Sequence, residues 1–159
     1  MQTHKQSQKA GLPPGALVYI GQKRSDTTRI TVCGYNETTY WEEQTEDREE
    51  TIAILKREDT VRWVSITGLA RIEMLQVIGE HFKLHPLTLE DILNTDQRPK
   101  QEVFEDYIYI VLKMLVSKEA DESIEMEQVS LILGVDYVLS FSESGDEIFK
   151  PVRDRIHNN

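Results

Sequence analysis

Only one cysteine, Cys33, stands among the 159 residues. A lone thiol excludes an internal disulfide and any cysteine-rich zinc site, and it fits a reducing compartment. Long apolar runs are missing too. The longest, YIYIVLKMLV from Tyr107 to Val116, contains Lys113 and falls well short of the ~20 residues that a spanning helix needs. The N-terminal stretch MQTHKQSQKAGLPPG is polar and lacks the apolar core of a signal peptide, so the chain as given is expected to be soluble. Basic residues are scarce, with 18 Lys and Arg against 28 Asp and Glu and a formal net charge of -10. Nucleic-acid binding wants a basic footprint that neutralises phosphates, and this balance argues against it. An acidic excess favours cations, basic partners or plain solubility. There is no glycine-rich phosphate loop, and Ser142 and Ser144 have no nearby base in the sequence.

What remains is a patterned chain long enough for one domain with a sizeable core. Residues 1–14 read as a flexible lead ending at Pro13-Pro14, and 15–150 as the domain. Strands are expected at 16–21, 29–35, 38–44 and 61–68, where β-branched and aromatic residues gather between polar turns. The first two are joined by QKRSDTT. A charged helix is expected over 46–59, with Ile52 and Leu55 on one side. The strongest helix signal covers 69–82, where Leu69, Ile72, Leu75, Ile78 and Phe82 form one apolar stripe. Pro86 suits the first turn of a short helix, PLTLEDILN. From Tyr107 onward the pattern is strand, the acidic connection KEADESIE, then MEQVSLILG and YVLSFSE, turning at Gly134-Val135-Asp136 as an antiparallel meander. The first of these strands is apolar enough to be covered on both faces. After SGDEIFK, Pro151 opens a last helix over 151–159 that reads as cut short, with Asn158 or Asn159 as its end. The fold class is α/β: an αβα sandwich whose mixed, largely antiparallel sheet is flanked by helices.

One helix places charge where its core does not need it. At about 100° per residue, Leu89, Ile92 and Leu93 cluster toward the core. Glu90 then falls beside that stripe, and Asp91 lies opposite, flanked by Leu87 and Asn94. Two readings stand: a solvated face with favourable charge near a helix N-terminus, or a cation site. A general acid/base dyad fits poorly, because adjacent helical side chains point about 100° apart. A hard cation such as magnesium takes only one or two carboxylates and keeps its waters. His81 and His85 have the spacing of a zinc pair, but Pro86 pushes His85 toward extended backbone, which favours packing and capping. His4 and His157 fall in tails. Lys100 and Arg98, around Pro99, are expected to pair with Glu102, Glu105 or Asp106.

The run SITGLARIEMLQVIGEHFKLHPLTLEDILNTDQRPKQEVFEDYIYIVLKML, followed by EQVSLILG, YVLSFSE and FKPVRDRI, closely resembles the CorA family of divalent-cation transporters, from about residue 13 to the end. The resemblance implies the family's N-terminal cytoplasmic domain, without the Gly-Met-Asn pore signature, the stalk or the membrane helices. It further implies a cytoplasmic regulatory, Mg2+-sensing part of a homopentameric transporter that takes up Mg2+ or Co2+ at the inner membrane, with Co2+ or Ni2+ as substitutes for Mg2+. It places regulatory metal ligands at Asp91 and Glu90, the opposing acid coming from a neighbouring copy beyond Asn159. It implies no catalysis and no contact with the membrane except through the missing C-terminal helices; the fragment itself is expected to be soluble, with a monomeric state open to it. The alternatives are a zinc-exporting member of the same family and a free-standing soluble cation-binding regulator. A carboxylate hydrolase is weaker, for want of a nucleophile–base pair.

Overall fold

The computed structural model describes residues 11–21, 25–57, 60–118, 123–144 and 148–158. The first ten residues of the lead, the first three of QKRSDTT, the tail of the 46–59 helix, residues 119–122 within KEADESIE, part of SGDEIFK, and His4 and Asn159 lie outside the described residues.

Among the described residues, seven strands and four helices follow in the order β1 (Arg29–Tyr35), β2 (Tyr40–Thr45), α1 (Arg48–Leu55), β3 (Val61–Thr67), α2 (Ile72–His81), α3 (Pro86–Leu93), β4 (Lys100–Val103), β5 (Ile108–Lys118), β6 (Ser123–Leu133), β7 (Tyr137–Ser142) and α4 (Lys150–His157). One sheet holds all the strands, in the order β2-β1-β3-β7-β6-β5-β4. Every neighbouring pair is antiparallel except β3–β7, which runs parallel. The fold is α/β with a mixed sheet, as expected.

Side chains alternate across a sheet, so the register assigns its two faces. Ile30, Val32, Val64, Ile66, Leu139, Phe141, Ile132, Tyr109 and Val111 share one face and are buried. There they pack with Ile54 and Leu55 of α1, Met74, Leu75 and Ile78 of α2, and Leu89, Ile92 and Leu93 of α3. α4 lies over the other face: Phe149 meets Trp63 edge-on at 5.7 Å, and His157 meets Tyr40 at 4.7 Å.

Several local expectations are corrected. The 16–21 stretch forms no strand. It makes a single parallel bridge, Ile20 with Asn94, because it is strapped across the end of α3: the Ile20 N–H donates to the Leu93 carbonyl at 2.8 Å and the Thr95 N–H to the Ile20 carbonyl at 3.0 Å. In α1 Thr51, Ile54 and Leu55 are buried, and Ile52, half-buried, packs against the same core, so the expected side is right but Thr51 and Ile54 join it. The helix starts at Arg48 because Asp47 caps it, accepting from the Glu49 and Glu50 N–H groups. α2 starts three residues later than expected, since Leu69 is buried ahead of the helix. β5 is covered on both faces only along its first half; Leu115, far along it, is 73% exposed, as is Met126 opposite at 59%. α4 ends where expected, Asn158 donating to the Asp154 carbonyl through backbone and side chain.

Candidate metal centre

α3 is built at its N-terminus. His85 is the N-cap and its Nδ1 accepts from the Leu87 N–H at 3.2 Å, while Pro86 fills a position where no N–H is needed. The His85 N–H donates to the Tyr107 hydroxyl at 3.0 Å, and that hydroxyl shares a second hydrogen bond, also 3.0 Å, with Thr88 Oγ1. Leu89, Ile92 and Leu93 face the core as the helical spacing predicts, with Thr88 joining them. Behind them Leu89 presses on Gly79 of α2 so closely that a Cβ there would collide with its methyl group. Leu87 points outward and is 46% exposed. His81 and His85 do not converge. α2 ends at His81, Lys83 takes a positive φ of 52°, and His81 packs edge-on against Phe82 while His85 caps the next helix.

Glu90 and Asp91 go to different partners. Glu90 Oε2 accepts from the Gly15 N–H at 2.7 Å. Gly15 has a φ of +84°, and a Cβ there would sit 3.1 Å from Pro86 Cβ, so glycine lets the incoming strap lie flat on α3. Asp91 turns toward the sheet edge. Its Oδ1 accepts from Gln97 Nε2 at 2.7 Å and its Oδ2 from Lys100 Nζ at 2.5 Å. The same ammonium donates to Glu102 Oε1 at 2.7 Å.

The sheet fixes this arrangement. β4 is the edge strand, and Lys100 and Glu102, two residues apart, share one of its faces, opposite Val111 and Tyr109 of β5. Lys100 Nζ lies 5.6 Å from the centre of the Tyr109 ring. The loop after α3 is held from below: Lys113 Nζ donates to the Thr95 carbonyl at 2.7 Å, and Gln128 bonds the Asn94 carbonyl and the Gln97 N–H, both at 3.1 Å. Gln97 is thereby positioned to hold Asp91. Burial draws the Lys100 ammonium down, but its hydrogen bonds to Asp91 and Glu102 and their negative charge outweigh that, and its pKa ends above the ordinary value. Burial also raises the Tyr109 phenol, and the charges of Asp91 and Glu102 push the same way against the Ser130 hydrogen bond.

Asp91 is therefore half-buried, at 25% side-chain exposure, rather than freely solvated. Lys100 was expected to pair with Glu102, and it does; its second partner, Asp91, was not foreseen. No group of three or more His, Cys, Asp or Glu close enough to hold a metal ion occurs among the described residues. Glu90 is turned to Gly15 and Asp91 to Gln97 and Lys100, so what this chain could offer a cation is at most one or two separate carboxylates, not a closed cage. No helix among the described residues is long and apolar enough to cross a membrane.

Comparison with known proteins agrees with this architecture. Over its whole length the chain is 45% identical to the cobalt/magnesium transport protein CorA of Thermotoga maritima, and it spans 45% of that protein. The soluble domain of CorA from Methanocaldococcus jannaschii superposes on 82% of this chain, and 46% of that one, with a TM-score of 0.57 at 15% identity. The ZntB cytoplasmic domain from Vibrio parahaemolyticus covers 83% of this chain and 50% of its own, with a TM-score of 0.61 at 11% identity. At such identities the two structures speak for the fold alone. Residues 58–159 match the family described as CorA-like Mg2+ transporter protein, and the chain belongs to that family.

Proposed function

We propose that this chain is the cytoplasmic, Mg2+-sensing domain of a CorA-type transporter that takes up Mg2+ or Co2+, and that Asp91, aided by Glu90, is its part of a regulatory cation site shared between copies. The observation that carries the reading is the 45% identity over all 159 residues to a cobalt/magnesium transport protein. The site geometry supports it: α3 directs Asp91 to the sheet edge, beside the exposed Leu87, instead of spending it on the core.

Asp91 supplies two carboxylate oxygens, Oδ1 held by Gln97 and Oδ2 by Lys100, and a ligand that takes Oδ2 does so in competition with that ammonium. Glu90 acts mainly through the strap, holding Gly15, and contributes charge next to Asp91. In a homopentamer, an acid from a neighbouring copy would face Asp91. Two carboxylates about 4 Å apart repel by about 4 kcal/mol at intermediate dielectric. A bound divalent cation reverses that sign and bridges the two copies. The assembly then shifts between a closed and a looser state by the cation's differential affinity for them.

The test is Asp91→Ala in the complete gene product, with protease protection followed against Mg2+ concentration. The midpoint rises if Asp91 is a ligand; an unchanged midpoint refutes the reading. Zinc export is the competing reading from sequence. The likeness to the ZntB domain, at 11% identity, does not favour it over the whole-chain match, and Mg2+ against Zn2+ flux in vesicles separates the two.

A further inference from the structure

We propose that Lys100 is the resident cation of the Asp91 site, so that a divalent ion binds Asp91 only as the ammonium retreats to Glu102, and that Lys100 thereby sets the concentration at which the site fills. This rests on the reading of Asp91 as a cation ligand.

Lys100 Nζ sits 2.5 Å from Asp91 Oδ2 and 2.7 Å from Glu102 Oε1. It takes a lone pair of Oδ2 for which a metal at that oxygen would compete. Ammonium and divalent cation compete for the same lone pairs, and hydrogen bonds between charged groups are the strong ones. Three features make the exchange feasible. Lys100 has a second carboxylate already in contact, so leaving Asp91 costs it one of two partners. Its stem is long and flexible, and its side chain is 28% exposed, which leaves room to swing. Gln97 holds Asp91 by the other oxygen, so the carboxylate stays aimed once Lys100 has gone. Glu102 is the more exposed of the two acids, at 42% against 25% for Asp91, and water therefore eases the ammonium's transfer to it. Lys113, the other nearby ammonium, is bound to the Thr95 carbonyl and to Gln128 and does not contact Asp91. The local charge follows the same logic. With Lys100 shared between them, Asp91 and Glu102 together carry one net negative charge; with Lys100 drawn off onto Glu102 alone, that charge sits on Asp91.

The experiment measures the Mg2+ midpoint of protease protection in the complete gene product, with Mg2+ as the sole divalent ion. Lys100→Met removes the competitor and lowers the midpoint roughly tenfold, the lower end for losing a charge-assisted hydrogen bond. Glu102→Gln removes the retreat and raises the midpoint. In the Lys100→Met background the same Glu102→Gln change has no further effect, because Glu102 acts only through Lys100. Thermal melting in chelator identifies folded variants, and Lys100→Gln serves if the methionine variant does not fold. An unchanged or higher midpoint in the Lys100 variants, with Asp91→Asn still raising it, overturns the role of Lys100 and leaves Asp91 as a ligand. An equal effect of Glu102→Gln in both backgrounds makes Glu102 a ligand itself and also overturns the inference. No response to Asp91→Asn overturns the underlying reading instead.

Discussion

Tyr107→Phe isolates what holds α3 in place. The Tyr107 ring is 6% exposed and stacks on Phe104, with centroids 4.5 Å apart; phenylalanine keeps that packing. Only the hydroxyl is lost, and with it the bonds to the His85 N–H and to Thr88 Oγ1. Thr88 is 1% exposed, so its hydroxyl loses a partner that water cannot readily replace. A buried polar group left unpaired costs about 1–3 kcal/mol, and the partly accessible His85 N–H adds a smaller amount. The expected loss is about 2 kcal/mol. For a domain of this size that lowers the melting temperature by about 4–8 °C. Amide exchange should speed up at Leu87, Thr88 and Leu89, the first turn of α3, before it does so in β5. Adding Thr88→Val removes the stranded hydroxyl, so the double variant loses less than the sum of the singles, by about 0.5 kcal/mol or more. A loss below about 0.5 kcal/mol, or strict additivity, would refute the claim that this phenol anchors the helix carrying Asp91; the resolution needed is within reach of urea denaturation.

Two further outcomes test the scaffold. Gly68, between β3 and α2, has a φ of +74°, and a Cβ there would run into the Thr27 carbonyl oxygen; Gly68→Ala is expected to destabilise by at least about 2 kcal/mol, read as a shifted urea midpoint. Cys33 is buried, and burial followed by the charge of Glu42 pushes its thiol up to about 12. Alkylation by iodoacetamide at pH 8 should run roughly a thousandfold slower in the folded chain than in urea, because only the thiolate reacts. The folded value lies above the unfolded one, so the stability linked to this thiol is intact below about pH 9 and is lost as pH rises toward about 12. Fast alkylation of the folded chain would contradict the burial.

The sheet was legible wherever short-range pattern decides structure. The β5–β6–β7 meander follows from apolar runs divided by turn residues, and α2 from its period of three and four. β4 was not seen. KQEV is four residues of mostly polar chain with burial alternating only weakly, and such an edge strand exists because β5 offers a free ladder, which no local preference announces. The 16–21 stretch misled for the opposite reason. Its β-branched and aromatic residues fit a strand, yet only Ile20 finds a ladder partner; Leu17 and Tyr19 pack, half-buried, against the core instead. Propensity reports that a segment wants an apolar surface to lie on, not whether that surface is a strand edge or a helix.

The candidate site divides along the same line. The helical angle alone placed Leu89, Ile92 and Leu93 inward and Asp91 away from them, and the structure agrees. What the angle does not contain is how those carboxylates are answered. Glu90 is met by a backbone N–H from Gly15, 75 residues earlier, and Asp91 by a lysine whose position depends on the pairing of β4 with β5. From sequence Lys100 reads as a partner of Glu102, Glu105 or Asp106; that Lys100 and Glu102 share one strand face, with Asp91 in reach, follows only once β4 is known to be a strand. The distinction matters for function. A carboxylate turned toward open water binds a cation against solvent alone. One that already holds an ammonium binds it against a tethered rival at fixed local concentration, and its response to metal is then set by the residue beside it as much as by the acid itself.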